Sequence, residues 1–356
     1  MKRGNRTLRT LWKLGVLFLA LSLVLGLGAA CKKKEEAKPA PAPAPAAEKK
    51  TEAPAPKPEP PKPKYPESGK TFTIVVPYGA GGGLDTAARG LAPLLQKNLG
   101  IPVVVENKPG AAGRVAAAAL FKQKGDGYTV FHDVLPSRSM GELVYDGDYK
   151  TMEFPAVYGY ADDTPVIAVA ENSPYKTFDD LLTASKNKPL SHGNPGLGTP
   201  IHLQSVVLAD VTGLALKEVP FETTAKATAA MLGGHIDITV LNTQNLFSFQ
   251  GLRPIATIGE ERHPLTPDLP TLKELGRDVP VIHFTRGYYS PPGIPDDVLK
   301  ILEKAFADSV ADPQWKDFAK KAGYLDIPMS ASEFTEVTRK AHEVAAKYAH
   351  LFKTAK

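Results

Sequence analysis

The stretch Val75–Leu91, VVPYGAGGGLDTAARGL, sets how the rest of the chain is read. Its first residues end the β-branched run TFTIVVP, the signature of a buried strand. A loop that is almost all glycine follows, and then a helix expected to start at an Asp85 cap, with Ala88, Leu91, Leu94 and Leu95 along one face. This grammar makes an anion cradle. Glycines let backbone N–H groups turn outward, and the first turn of a helix carries unpaired donors and a partial positive charge.

The nature of the anion is constrained by what the loop lacks. A dinucleotide fingerprint needs G-x-G-x-x-G; Gly79 and Gly81 fit and Glu106 lies at a suitable distance, but Leu84 stands in the third glycine's place. A P-loop ending in Gly69-Lys70-Thr71 would need glycine at position 64, which is Lys64. Asp85 already occupies part of the helix end and repels a highly charged ligand there. A smaller anion, such as a carboxylate, remains.

Downstream, SHGNPGLGTPIH (Ser191–His202) repeats the arrangement: a strand, a glycine loop, and a helix start capped by Thr199 with Pro200 behind it. Around the two loops the segments alternate. IPVVVENKPG, GYTVFHD, TPVIAVAENSP, LKEVPF, IDITVLN, RPIATIG and HFTRGYYSP read as strands. AAGRVAAAALFKQ, TFDDLLTASKN, TAKATAAMLGGH and two amphipathic runs from Pro295 and Ser332 read as helices. This is an α/β pattern with largely parallel sheets, distributed over two lobes with one glycine loop each.

The ends of the chain bear on location. The formal charge of +5 is carried by Lys2, Arg3, Arg6, Arg9 and Lys13, and no acidic residue precedes Glu35. Without the first thirty residues the balance is zero, so there is no basic field for nucleic acid. Those residues read as a signal sequence: a basic start, the apolar run LGVLFLALSLVLGLGAA, then Cys31, the single cysteine of the chain. Cys31 is the expected lipidation site, with glycine where a lipobox usually has leucine or valine. Residues 31–66, rich in proline, alanine and lysine, read as a disordered tether that holds the domain off a lipid bilayer.

From about Pro66 onward the sequence resembles the solute-binding proteins of tripartite tricarboxylate transporters. The resemblance is carried by TIVVPYGAGGGLDTAAR, LGIPVVVENKPGAAGRVAAAAL, DGYT, PGLGTPIH, MLGGHIDI, LRPIATIGEERHPLTPDLPTLKELG and SPPGIPDDVLKILEKAFADSVADP, in that order. It implies a two-lobe, periplasmic-binding-protein-like fold of type II. The first lobe would span 67–168 and 286–356, and the second 169–285. It also implies closure over a small mono-, di- or tricarboxylate held mainly by main-chain N–H groups, and delivery to a permease with a large and a small membrane subunit. The expected state is a monomer in the periplasm or at the cell surface, with no cofactor and no metal.

Carried over position by position, the ligand-binding set is Tyr78, Gly79, Ala80, Gly81, Gly82, Gly83 and Asp85 in the first loop. Asn194, Gly196, Gly198, Thr199 and His202 form the second, with Phe221 and Thr223 nearby. A bulky residue at Gly82 is expected to abolish binding. Phe221, Thr223 and Thr224 stand where the family often has tyrosine and glycines, and His132, Asp133 and Val134 where small residues and hydroxyls are common. Arg138 is a candidate partner for a distal carboxylate, read as an exposed side chain. Two other classes stay in view: a sensory receptor, and an exported enzyme. The enzyme reading lacks a G-x-S-x-G motif and any histidine pair at metal-ligand spacing. His192, His202 and Asp237 read as structural.

Overall fold

The computed structural model describes residues 65–352. The expected signal sequence over 1–30, Cys31 and all but the last two residues of the tether lie outside the described residues. Those two belong to the folded body. The Tyr65 hydroxyl donates to the Gly127 carbonyl at 2.6 Å, and its ring tilts against Tyr128 with centroids 5.1 Å apart. A ring that covers the core edge is not tether, so the folded region starts no later than Tyr65 rather than after residue 66.

The chain begins with β1 (Phe72–Val76), α1 (Gly83–Leu99), β2 (Val103–Asn107), α2 (Arg114–Phe121), β3 (Thr129–Val134), α3 (Ser137–Tyr145) and β4 (Ala156–Ala161). It continues through β5 (Pro165–Ala170), α4 (Phe178–Asn187), β6 (Leu190–Asn194), α5 (Pro200–Thr212) and β7 (Leu216–Pro220). Then come α6 (Thr224–Leu232), β8 (Ile238–Asn242), the short α7 (Asn245–Ser248) and β9 (Leu252–Thr257). The last elements are β10 (Arg286–Tyr289), α8 (Asp296–Ala311), α9 (Pro313–Ala322), β11 (Asp326–Met329) and α10 (Ala331–Tyr348).

Two sheets organise these elements into two lobes. The first has strand order β11-β4-β10-β3-β1-β2 and the second β7-β6-β8-β5-β9. Neither is mostly parallel. Only β1–β2 and β1–β3 pair in parallel in the first, and β6–β7 and β6–β8 in the second; every other pairing is antiparallel. The antiparallel half comes from strands that enter a sheet from the other lobe or return to it, which periodicity cannot reveal.

Two boundaries move as well. β5 starts at Pro165 and lies in the second sheet, so the chain crosses between Ala161 and Pro165 rather than at 168. The C-terminal segment does not belong to the first lobe alone. Phe334 of α10 packs in a first-lobe cluster, whereas Ala345 and Tyr348 pack in the second lobe's core beside Ile167, Leu190 and Val240. α10 therefore runs from one lobe into the other.

The strand that carries the first glycine loop is anchored on both faces. Phe72, Ile74 and Val76 point into one core with Leu91, Leu95, Phe306 and Trp315, while Val75 points into another with Phe131 and Tyr289. α1 ends at Gly100 in the left-handed conformation (φ 70°), and α10 starts in a capping box between Ser330 and Glu333. Among the described residues, no helix is long and apolar enough to cross a membrane.

Candidate functional site

Residues at or just beyond the carboxyl ends of β1, β3, β6, β7 and β8 line one cleft between the lobes. That is the usual ligand position for an α/β protein, because helix starts converge there. Its wall contains Tyr78, Gly82, Gly83, Thr199 and Thr223 from the expected set, together with Leu84, Ile201 and Thr224. An outer mouth adds Gly79, Gly196 and Phe221, together with the charged Arg114 and Glu222. Across it the lobes meet: a Cβ on Gly79 would lie 3.4 Å from the Thr223 methyl, and Arg114 Nη1 donates to the Leu197 carbonyl at 3.4 Å.

In the first loop the helix begins earlier than expected. Gly82 is the N-cap and Asp85 sits in the first turn. Asp85 is buried and faces away from the cleft wall, accepting from the Gly81 amide at 2.8 Å, Arg89 Nε at 3.0 Å and Asn107 Nδ2 at 3.0 Å. Burial alone would raise its carboxyl pKa, but these donors outweigh burial and hold it below the ordinary carboxylate value. Asp85 therefore shapes the loop from behind. Ala80 and Gly81 are exposed and lie outside the cleft wall. The amides left for a ligand are those of the first turn, Gly83 and Leu84, which have no helical acceptor.

The second loop keeps its expected cap: Thr199 Oγ1 accepts from the His202 amide, and Pro200 follows. Its glycine amides are already used. Gly196 N–H donates to Asn194 Oδ1 at 2.9 Å, and Gly198 N–H to His202 Nδ1 at 3.0 Å. Asn194 and His202 are buried and brace the loop instead of lining the cleft. Burial holds the His202 imidazole neutral, with its pKa lowered to about 4. Beneath lies Glu218, which accepts from His192 at 2.7 Å, Asn194 at 2.7 Å and Ser205 at 2.8 Å. Asp237 accepts from both the amide and hydroxyl of Ser191, tying β8 to β6. What this lobe offers a ligand is thus the free amide of Ile201 at the start of α5 and that of Thr224 at the start of α6, where Thr223 is the N-cap.

Several cleft residues were not foreseen, among them Asn242, Gln244, Asn245, Phe284 and Arg286. Arg286 opens β10 opposite Val134 of β3, and its Nη1 donates to Gln244 Oε1 at 2.6 Å. An arginine inside the apolar run HFTRGYYSP was the signal for it; Gln244 left none. No aspartate or glutamate contributes to the cleft wall among the described residues. Arg138, in contrast, is not the exposed partner expected. It is buried and paired with Asp133 at 2.7 Å. Among the described residues no cluster of His, Cys, Asp or Glu could hold a metal ion.

Behind Arg286, Asp163 marks the crossing between the lobes. It accepts from the amides of Thr164, Thr243 and Gln244, and lies 3.7 Å from Arg286 Nη2 and 4.0 Å from His263 Nε2. Burial raises its pKa to about 6; Arg286 and the amides oppose the rise, and Asp162 adds to it. His263 does not compete as a cation, since burial lowers its pKa. A folded pKa above the unfolded value of about 3.9 means that this group stabilises the fold at low pH and loses that contribution as pH rises through about 6. A carboxyl-carbon NMR titration should find Asp163 with a midpoint near 6, while Asp85 titrates below the ordinary range. A midpoint below 4.5 for Asp163 would mean that the amides and Arg286 dominate over burial.

Comparison with known proteins agrees with this architecture. The profile of the tripartite tricarboxylate transporter family receptor matches residues 87–353. A UPF0065 protein from the gbd 5' region of Cupriavidus necator is 30% identical over 278 residues, 77% of this chain and 84% of that protein. The periplasmic binding protein BugD superposes with a TM-score of 0.72 at 27% identity, covering 81% of this chain and 98% of BugD. MatC from Rhodopseudomonas palustris, solved with bound malate, shares the fold with a TM-score of 0.74 at 21% identity, covering 80% of this chain and 100% of MatC. With the profile spanning most of the two lobes and both glycine loops in place, the chain belongs to the tripartite tricarboxylate transporter receptor family.

Proposed function

We propose that this protein captures a small organic carboxylate between its lobes and hands it to a tripartite-type permease. One observation carries the reading. The starts of α1, α5 and α6, together with Arg286, converge on an inner cleft wall that carries no acidic residue among the described residues, Glu222 lining only the outer mouth. Each helix start brings unpaired amides and a partial positive charge, and the set suits an acid with one or more carboxylates. MatC, of the same fold, binds malate. The ligand set then centres on Gly82, Gly83, Thr199 and Thr223, with Tyr78, Gly79, Gly196 and Phe221 closing the mouth, while Ala80, Gly81, Asp85, Asn194, Gly198 and His202 shape the loops. Binding without turnover follows from a wall that offers donors but no general base or nucleophile paired to one.

The same reading puts the protein outside the cytoplasm, with Cys31 lipidated after signal cleavage and residues 31–64 acting as the tether. Closure over the ligand presents both lobes at once to the large and small membrane subunits. The test is a thermal-shift screen of mono-, di- and tricarboxylates with the purified protein, followed by mass analysis of each hit. A saturating ligand is expected to raise the midpoint by on the order of 5 °C and to be recovered chemically unchanged. Product formation, or no response across the panel, would overturn the reading.

A further inference from the structure

Arg286 carries a charge that the packing around it does not complete. Because β10 runs antiparallel to β3, its first residue lies beside the strand ends that line the cleft. The side chain is 2% exposed, yet it forms part of the cleft wall. One nitrogen, Nη1, is spent on Gln244, a residue of the other lobe. Nε has no partner in the protein. Asp163 stands 3.7 Å from Nη2, beyond a good hydrogen bond, and its oxygens already serve three amides. The remaining neighbours are Tyr160 and Tyr324, whose hydroxyls interact with the guanidinium, the Tyr324 ring centroid lying 5.0 Å from its carbon, so that Nε is the donor left without an acceptor. A guanidinium has five donors, and a buried one with a donor unused is costly unless another group satisfies it.

The first glycine loop lies against this group. A Cβ on Gly83 would fall 2.7 Å from Gln244 Nε2 and 4.0 Å from Arg286 Nη1. An anion seated on the first-turn amides of α1 is therefore within reach of both side chains. We propose that Arg286, held by Gln244, forms an ion pair with a ligand carboxylate at the cleft floor, so that the cleft recognises charge through a side chain as well as through helix-end amides. This rests on the carboxylate reading above and assigns the residue that enforces it. Gln244 spans the lobes, so the ion pair would form only where the lobes are together, which couples charge recognition to closure. A ligand with a second acid group has the starts of α5 and α6 across the cleft to receive it.

The experiment is isothermal titration of the purified protein with citrate and the linear diacids from succinate to adipate, comparing wild type, Arg286→Gln and Arg286→Lys. The Arg286 Nε–Hε signal is followed in protein labelled with 15N-arginine. Wild type is expected to bind at least one acid, Arg286→Gln to lose roughly 100-fold in affinity, and Arg286→Lys to stay within roughly tenfold of wild type. The Nε–Hε signal is expected to shift on saturation, which a purely structural role would not cause. Where Arg286→Gln does not fold, Arg286→Lys and the Nε–Hε signal decide. Equal losses in both variants, or an unmoved signal at saturation, would overturn the proposal while leaving the carboxylate reading intact. Failure of wild type to bind any acid in the panel would remove the carboxylate reading, and this proposal with it.

Discussion

Gly83→Val should abolish ligand capture in a protein that still folds. Gly83 is the first residue of α1, and its φ lies outside the left-handed region, so the backbone accepts a side chain. The space does not. The new Cβ meets Gln244 Nε2 at 2.7 Å, closer than any ordinary contact. That atom is the far end of a flexible side chain, so Gln244 can swing away without moving the backbone. In doing so it gives up its bond to Arg286, and the valine methyls fill the space beside the first-turn amides. A loss of at least roughly 100-fold in affinity is expected, with the thermal midpoint of the unliganded protein within a few degrees of wild type. Gly81→Ala is the control. Gly81 has φ 78° with open space around its missing Cβ, so alanine costs about 1–2 kcal/mol of backbone strain and leaves the cleft alone. Near-native affinity in Gly83→Val would mean that the ligand does not use the start of α1. Gly82, the position that the sequence singles out, is the weaker test, because its Cβ would meet nothing nearer than the Gly79 carbonyl at 3.4 Å.

The contrast between Gly82 and Gly83 shows what a sequence makes legible. Glycine loops, caps and helix starts are local, and the two loops with the helices behind them could be read from the sequence. Thr199 caps α5 as its spacing implies. The uses of the individual amides were harder. Asp85 looked like a cap and is instead a third-position brace that reaches back to Gly81. Gly196 and Gly198 looked like ligand donors, yet Asn194 two residues earlier and His202 four residues later take their N–H groups. The first of these is an Asx-type turn, and the Asn-Pro-Gly order carried that signal. Arg286 and Gln244 reach the cleft for reasons that no local pattern holds. One depends on an antiparallel return strand registered against Val134, the other on the end of β8 in the opposite lobe. The mixed sheets escaped notice for the same reason, since an apolar run such as β5 or β10 reads identically in either direction.

Loop position and cleft charge thus come from different parts of the fold. The amides are set by sequence-local caps, and the cation by sheet topology. A homologue could therefore keep both glycine loops while changing the floor at position 286, and so change which acids it prefers without altering the cradle. The Glu218 network points the same way. It fixes the second loop through His192, Asn194 and Ser205 without placing any of them in the cleft wall, so specificity can drift while loop shape is held.

Arg138→Ala should be among the most destabilising single substitutions in the first lobe. Arg138 and Asp133 are 2% and 1% exposed at the side chain and meet at 2.7 Å, between the end of β3 and the first turn of α3. The guanidinium carbon lies 3.7 Å from the centroid of Tyr289 and 4.7 Å from that of Phe154, so the cation is sandwiched as well as paired. Even with Arg138 beside it, burial raises the Asp133 pKa above the ordinary carboxylate value. Removing the arginine leaves that carboxyl buried beside an empty volume, and breaking such a pair costs about 3–5 kcal/mol. For a chain of this size that corresponds to a fall in midpoint on the order of 10 °C. The pH dependence has a definite sign. An Asp133 pKa raised further in the variant means that protonation relieves the deficit, so the loss relative to wild type grows as pH rises from 5 to 8. Denaturant titrations at those two pH values measure both effects, and replacing Asp133 by alanine in the same chain should recover part of the loss. A deficit below about 1 kcal/mol, or one that shrinks with rising pH, would show that Asp133 finds another donor. The consequence reaches the cleft, because Ser137, next to Arg138, bonds the Tyr78 hydroxyl at 3.1 Å. A slipped α3 would let the tyrosine at the cleft wall turn, and ligand affinity should fall with stability in this variant, whereas Gly83→Val separates the two.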